Sequence, residues 1–153
     1  MFYFAYGLLT DQDYMSELGA EFVSGAGIRG YKLELFDYAN LVRDGGSTSV
    51  GALWNINDQV LSRLDLIEGY PVLYTRSLLP VLTQGRTVNA WVYTMTVRTR
   101  EKLIKDPEAY PTNDYIQTMY RGYKDAGVST KSIDMVIQET ITRIENLQQE
   151  KKQ

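Results

Sequence analysis

Residues 57–69, NDQVLSRLDLIEG, decide the fold, because they place a helix between two strand-like stretches. Asn57 or Asp58 supplies the polar residue at which a helix begins, and the apolar residues that follow recur with a helical period. Gly69 ends the predicted helix just after Ile67, and Pro71 beyond it prevents its continuation. The sequence therefore predicts one helix that interrupts a series of strands.

The segments on both sides of this helix have the short apolar patterns of strands. Strands are predicted at 1–6, 21–29, 31–41, 50–56, 74–83 and 87–96. Turn residues at 43–47 predict a loop, and those at 84–86 predict a hairpin. Further helices are predicted at 13–18, 113–125 and from 129 or 130 to 148, whereas the charged stretch 98–106 has no clear assignment. Strands that come first and helices that accumulate later indicate an α+β fold with a closed or nearly closed sheet.

Composition restricts the chemistry that this chain can perform. Its 153 residues suit one domain, and they include no cysteine and no histidine. Disulfides, zinc sites of the Cys/His type, Cys–His pairs and Ser-His-Asp triads are therefore excluded. Any acid–base chemistry must use a carboxylate, a lysine or a tyrosine. No acidic cluster resembles a calcium-binding loop, so we expect no metal site.

Charge and hydropathy also restrict the partners. A net charge of −3 argues against a nucleic-acid partner. The sequence has no run of eighteen apolar residues and no basic segment ahead of an apolar one at its start, so we expect no membrane span, no signal peptide and a cytoplasmic location. Twelve tyrosines against four phenylalanines suit a pocket for a polar ligand, although packing alone also explains them.

One carboxylate lies on the apolar face of the predicted helix at 58–68. At about 100° per residue, with Leu61 at 0°, the apolar residues occupy an arc from 0° to about −120°, and Glu68 lies at about −20°, inside that arc. Desolvation and the helix dipole would both raise its pKa towards ~6, a useful value for a general base. The alternative is a last-turn glutamate that bends out to water.

A second candidate site is the turn Tyr6-Gly7-Leu8-Leu9-Thr10 that follows the first strand. A strand that ends in glycine can leave backbone N–H groups free to hold an anion, although an ordinary strand-to-helix turn also fits. Tyr70, Tyr74 and Arg76 follow Glu68 closely. The two tyrosines would either hydrogen-bond a substrate or pack, and the arginine would either join the site or form a structural ion pair.

Five fragments together resemble the gamma-glutamylcyclotransferase family, also called AIG2-like. Their order and spacing agree with the family over residues 2–127. The fragments are FAYGLLT at 4–10, GALW at 51–54, LDLIEGYP at 64–71 with YTR at 74–76, AWVY at 90–93, and PTNDYI at 111–116 leading to Gly122 and Gly127.

The resemblance implies a small mixed-strand barrel with flanking helices, and an enzyme that releases 5-oxoproline from a gamma-glutamyl amino acid, peptide or amine without a cofactor. It implies that Glu68 is the catalytic base and that Tyr6, Gly7, Leu8 and Leu9 hold the substrate, mainly through their backbone. This chain departs from the family where Leu8 replaces a polar residue after the glycine. The alternative is therefore a catalytically inactive module that binds a small molecule or regulates another protein.

The chain continues past the family-like part. We expect residues 1–127 to form the family domain and residues 128–153 to form a helical extension of it. A mainly apolar stripe recurs along one face of the last helix, namely Ile133, Ile137, Thr140, Ile144 and Leu147, with Val136 and Ile141 beside them. Such a face must be covered, either by the chain's own barrel or by a second copy in a homodimer.

Overall fold

A computed structural model of the chain describes residues 1–152. Its strands are β1 (Phe2–Ala5), β2 (Glu21–Leu35), β3 (Ala39–Asn55), β4 (Tyr74–Thr83) and β5 (Arg86–Met95). Its helices are α1 (Gln12–Leu18), α2 (Asp58–Ile67), α3 (Val97–Ile104), α4 (Asn113–Ala126) and α5 (Lys131–Lys152), with a single 3-10 turn at Leu8–Thr10. Among these residues, no helix is long and apolar enough to cross a membrane.

The five strands close into a barrel in the order β1-β3-β2-β4-β5. The first strand closes it, since β1 pairs with β3 on one side and with β5 on the other. The pairing of β1 with β5 is parallel, with Tyr3 opposite Trp91, and the other pairings are antiparallel. The predicted α+β fold with a closed barrel of mixed strands and flanking helices is confirmed.

The long hairpin β2–β3 corrects the predicted strand boundaries. The chain reverses at residues 36–38, where no loop was predicted, and the predicted loop at 43–47 lies inside β3. The register shifts there, because Arg29 pairs with Thr48 whereas Tyr31 pairs with Arg43. The turn residues thus form a bulge, in which the Asp44 carboxylate accepts hydrogen bonds from the Gly46 amide and the Ser47 hydroxyl.

The barrel wall separates two apolar cores. Side chains alternate along β1, so that Phe4 belongs to one core and Tyr3 to the other. The first core is covered by α4 and α5 through Met119, Tyr123, Ile133 and Val136. The second core is covered by α1 and α2 through Met15, Val60 and Leu64. The second core holds α2 against the barrel and so positions Glu68, the residue that follows this helix.

The last helix packs on the barrel with its first half. Ile133, Val136 and Thr140 are buried there, and Arg143 donates hydrogen bonds to the carbonyl oxygens of Leu35 (3.4 Å) and Ala109 (2.9 Å). Most of the residues after 144 are exposed. The barrel therefore covers the first part of the apolar face, and the homodimer through this helix stays a prediction.

Candidate active site

A cavity of about 590 Å³ opens at one end of the barrel, and Glu68 lies in its wall. The lining comes from β1, the turn after it, the β2–β3 turn, the end of α2 with the segment after it, the start of β4, β5 with α3, and Tyr115 of α4. Its floor is buried and rich in tyrosine, whereas its rim is exposed. The volume is that of a site for a small molecule.

The end of α2 fixes the position of Glu68. The helix ends in a Schellman motif, in which the Tyr70 amide donates to the Asp65 carbonyl (2.9 Å) and the Gly69 amide to the Leu66 carbonyl (3.2 Å). Gly69 has a φ of +62°, and a Cβ on it would lie 2.8 Å from Leu73 Cδ1. Glycine is thus the residue that this turn accepts, and it holds the Glu68 side chain towards the cavity.

The environment of Glu68 changes its acidity. The side chain is half-buried among apolar and tyrosine side chains, and burial raises the pKa of its carboxyl from 4.5 to about 7. The buried face of α2 is narrower than the apolar face predicted from the sequence. Val60 and Leu64 are buried, whereas Ile67 is 44% exposed at the rim of the cavity. Glu68 lies in the cavity wall, at the end of this face.

Five buried tyrosines line the floor of the cavity, namely Tyr3, Tyr6, Tyr74, Tyr93 and Tyr115. Burial raises the pKa of each of these phenols, so all five stay neutral at physiological pH. The Tyr74 hydroxyl donates to the Ala39 carbonyl (2.8 Å), and the Tyr115 hydroxyl accepts from the Ala39 amide (2.9 Å). These bonds tie the β2–β3 turn to the floor.

Tyr3 differs from the other tyrosines of the floor. In residues 1–152 the hydroxyls of Tyr6, Tyr74, Tyr93 and Tyr115 have protein partners, whereas that of Tyr3 has none. Burial is the largest cause of the raised pKa of the Tyr3 phenol, and the negative charge of Glu68 is the second. A free hydroxyl beside the candidate base is suited to hydrogen-bond a ligand. Sequence reasoning missed Tyr3, because an aromatic residue in a short apolar strand usually packs.

The turn after β1 presents its amide groups on the same cavity. The Gly7 carbonyl accepts from the Thr10 amide (3.2 Å) and the Thr10 hydroxyl (2.8 Å). Among the backbone-to-backbone hydrogen bonds of residues 1–152 outside helices and strands, none has the N–H of Gly7, Leu8 or Leu9 as its donor. The Leu8 amide faces the Tyr115 hydroxyl, and their interaction lowers the pKa of that phenol. All three residues line the cavity, so the turn can offer N–H groups to an anion.

Close packing beside Tyr115 restricts position 7 to glycine. A Cβ on Gly7 would lie 2.8 Å from the Tyr115 hydroxyl oxygen and 3.1 Å from Ala39 Cβ. The space beside the Tyr115 hydroxyl is therefore a constraint on this position.

Tyr70 and Arg76 lie outside the cavity, in contrast to Tyr74. The Arg76 guanidinium lies between the rings of Tyr70 and Trp91, 4.7 and 4.3 Å from their centroids, and pairs with the Asp65 carboxylate at 2.9 Å. The Tyr70 ring stacks on this guanidinium and is not part of the cavity lining, and its substrate-binding role stays a prediction. The structural interpretation of Arg76 as an ion-pair residue fits its contacts.

The helix α3 forms part of the rim, in a stretch that had no clear assignment from the sequence. It begins at Val97, where the Thr96 hydroxyl accepts from the Thr99 amide. Arg98 and Lys102, one turn apart, line the cavity. The signal that could have found them is a threonine cap followed by two cations at helical spacing.

Asp37 and Tyr38, in the β2–β3 turn, complete the rim. Residues 1–152 contain no acidic cluster that could hold a metal ion.

The chain is a small closed barrel with a carboxylate at a helix end, beside a glycine turn, in the wall of one cavity. Comparison with known proteins shows to which family a chain of this kind belongs. Residues 3–117 match the family described as Gamma-glutamyl cyclotransferase, AIG2-like, so the chain belongs to that family. The family predicted from the five sequence fragments is thus confirmed. The comparison with curated proteins gave no match.

Solved structures share the fold, and three of them illustrate the similarity. A structure named Gamma-glutamyl cyclotransferase is 21% identical with a TM-score of 0.73, over 89% of this chain and 85% of that one. The uncharacterized protein loc79017 from Homo sapiens is 22% identical with a TM-score of 0.70, over 88% and 85% of the two chains. YkqA from Bacillus subtilis is 22% identical with a TM-score of 0.71, over 92% of this chain and 54% of that one.

Proposed function

We propose that this protein is a γ-glutamyl cyclotransferase, which releases 5-oxoproline from a γ-glutamyl amino acid, peptide or amine with Glu68 as the general base. The observation that carries the proposal is the position of Glu68, half-buried in the wall of the cavity with its pKa raised to about 7. A carboxylate with such a pKa is half ionised near neutral pH, and it accepts a proton more readily than an ordinary glutamate.

The proposed reaction is an intramolecular transfer of an acyl group. Glu68 accepts a proton from the substrate's α-ammonium, and the freed nitrogen attacks the γ-carbonyl carbon to form the new C–N bond of a five-membered ring. The bond to the leaving nitrogen then breaks. The leaving nitrogen gains in total the two protons that the α-nitrogen loses, with Glu68 as the carrier, so it departs as an ammonium ion. A bound, curled substrate supplies much of the rate, because both reacting groups belong to one molecule.

The surrounding groups would bind the rest of the γ-glutamyl unit. The N–H groups of residues 7–9 would hold the α-carboxylate, in the way that backbone nests hold anions. The Tyr3 hydroxyl, which no protein group occupies in residues 1–152, would donate to the oxyanion that develops on the γ-carbonyl. In this proposal the cavity would supply a base, an anion-binding turn and a hydrogen-bond donor.

The direct experiment incubates the protein with a panel of γ-glutamyl amino acids, peptides and amines and quantifies 5-oxoproline by mass spectrometry. Glu68→Gln keeps the shape of the side chain and removes its basicity, so we expect turnover to fall by at least ~100-fold with folding intact. The matched control is Glu101→Gln, an exposed glutamate of α3 outside the cavity lining. A Glu68→Gln variant that keeps nearly full turnover would show that Glu68 is not the base.

A second candidate function is binding without turnover, and one observation favours it. Leu8 occupies the position after Gly7, lines the cavity and is 40% exposed, so the turn offers no polar side chain at this point. A binding or regulatory module would bind γ-glutamyl compounds and release no 5-oxoproline. Binding in a calorimetric titration of the same panel, together with no 5-oxoproline in the mass-spectrometric assay, distinguishes this case from an enzyme.

A further inference from the structure

The rim of the cavity contains an unusual pair of cations on α3. This helix has three basic residues in its first six positions, and Arg100 is neutralised by the Glu34 carboxylate at 2.7 and 2.8 Å. Arg98 and Lys102 line the cavity instead, and neither takes part in an ion pair within residues 1–152. One cation of this short helix thus forms an ion pair with a carboxylate, and the other two line the cavity.

This arrangement carries a cost for the free protein. Two like charges at i and i+4 on one helix repel each other. The helix dipole disfavours Arg98 in the first turn, although it favours Lys102 in the last turn. The first turn of α3 contains no acidic residue to offset it. A negatively charged ligand at the rim would remove both penalties, so the arrangement is suited to an anion.

The position of α3 relative to Glu68 is fixed by hydrogen bonds. The Thr96 amide donates to the Leu73 carbonyl (3.1 Å), and the Thr96 hydroxyl donates to the Val72 carbonyl (2.9 Å). These bonds hold the start of α3 against the segment that follows Gly69. The two cations and the end of α2 therefore belong to one side of the same opening.

The remaining rim is mainly apolar. Leu8, Ile67, Val72 and Leu73 are exposed large apolar side chains, and all four line the cavity. Asp37, at the β2–β3 turn, is the one carboxylate of the lining besides Glu68 within the described residues. The rim thus presents two cations, one anion and an apolar surface that a ligand could cover.

The proposed function orients a substrate in this cavity. Its γ-glutamyl group must reach Glu68, the floor and the turn at residues 7–9, so the leaving group extends towards the exposed rim. We infer that the leaving group is an amino acid or peptide with a free carboxylate, which Arg98 and Lys102 bind, and with an apolar side chain, which packs on the rim beside them. This inference rests on the proposed function and names its substrate class. It disfavours cationic and uncharged leaving amines, because they give the two cations no counter-charge.

The test compares two substrates that differ in one group. γ-Glutamyl-L-phenylalanine carries the carboxylate, and γ-glutamyl-phenethylamine has the same ring without it. We expect kcat/KM for the first to exceed that for the second by at least about 5-fold at low salt, as two partly exposed ion pairs would provide. γ-Glutamylglycine, which keeps the carboxylate and lacks the side chain, should be slower than the phenylalanine compound.

The variants connect this preference to the two cations. In the double variant Arg98→Gln, Lys102→Gln, the ratio between the two phenyl substrates should fall towards one, mainly through a higher KM for the carboxylate compound. Lys105→Gln is the matched control, because Lys105 ends the same helix and does not line the cavity. A ratio near one in the unchanged protein, or a ratio that the double variant leaves intact, would overturn the inference and leave the proposed function standing.

A different result would concern the proposed function itself. If neither phenyl compound yields 5-oxoproline, the enzyme proposal fails for this substrate class, and the preference is then read from binding. Calorimetric titration of the same two compounds should show tighter binding of the carboxylate form to the unchanged protein than to the double variant. The inference would be overturned if the carboxylate compound bound the unchanged protein and the double variant with equal affinity, or if neither compound bound.

Discussion

The titration of Glu68 should be visible in both activity and stability. Its pKa is about 7 in the folded protein and near 4.5 when the chain is unfolded. Between these values the folded protein holds a proton that the unfolded chain has released, so the free energy of unfolding falls as pH rises through this window. For this one group the fall is at most about 3 kcal/mol, since one pKa unit corresponds to 1.36 kcal/mol and the side chain is only half-buried.

Glu68→Gln removes this titration, and a comparison of denaturation curves isolates it. We expect the variant to gain stability relative to the unchanged protein as pH rises from 4 to 8, because only the unchanged protein then buries a charge. Urea denaturation at pH 4, 6 and 8 measures the difference. A difference that does not vary with pH would mean that the carboxyl is not desolvated. If the proposed function holds, kcat/KM of the unchanged protein should rise with pH through about 7, as Glu68 ionises.

The turn after β1 allows a second prediction at the scale of one residue. Gly7→Val should weaken ligand binding and lower stability more than Leu8→Ala does, because any Cβ at position 7 meets the Tyr115 hydroxyl at 2.8 Å. Leu8 is exposed at the rim, so its truncation removes apolar contact without a clash. Thermal denaturation and calorimetric binding of a γ-glutamyl compound check both changes. Small and equal effects of the two would exclude this turn from the site.

Between elements, the ion pair of Asp65 and Arg76 connects α2 to β4. Arg76 Nε lies 2.9 Å from Asp65 Oδ1, and the Tyr93 hydroxyl donates to the same oxygen at 2.6 Å. Asp65 precedes Glu68 by one turn of α2. The pair therefore holds the end of the helix, and with it the candidate base, against the barrel.

Removal of Arg76 should loosen this connection. We expect Arg76→Gln to cost about 1–3 kcal/mol of stability and to lower kcat, because a part-buried carboxylate loses its counter-charge while Tyr93 still binds it. Arg121→Gln is the control, since Arg121 is exposed and lies 3.7 Å from Asp11, so its removal should cost little. Denaturation and single-turnover kinetics give the two readouts. Equal effects of both changes would contradict a special role for the pair.

At the scale of the whole molecule, α5 completes the core. Ile133 and Val136 are buried against the barrel, and each buried side chain of this size contributes about 1.5–3 kcal/mol. Truncation after Gly127 should therefore destabilise the protein and cause aggregation, or convert a dimer to a monomer if the helix also binds a second copy. Light scattering of the full and truncated chains distinguishes these outcomes.

Truncation after Ile144 is the matched control for α5. It removes mostly exposed residues and keeps Arg143, which binds the carbonyl oxygens of Leu35 and Ala109. We expect this shorter chain to keep its melting temperature to within a few degrees. If the truncation after Gly127 were equally harmless, α5 would contribute nothing to the core.

Local signals in the sequence were sufficient to predict part of the fold and of the site. The helix that ends at Glu68, the hairpin β4–β5 and the glycine turn each depend on a few neighbouring residues, and the family resemblance supplied the barrel. Asp44 and its neighbours were misassigned, because the same turn chemistry forms a loop or a bulge, and only the pairing with β2 decides between them. Arg98, Lys102 and Tyr3 were missed, because their place in the cavity depends on elements far apart in the chain.

The parallel pairing of β1 with β5 has a consequence for how the chain folds. Phe2 pairs with Ala90, so the first strand completes its hydrogen bonds only after the fifth strand is in place. Closing a loop of this length costs about 4 kcal/mol of chain entropy, and topologies rich in such distant contacts fold slowly, in milliseconds to seconds. During synthesis on the ribosome, β1 would therefore stay incompletely paired until β5 has left the exit tunnel. In that interval the nascent chain would expose one unpaired edge of an aromatic strand, which is the kind of surface that chaperones bind.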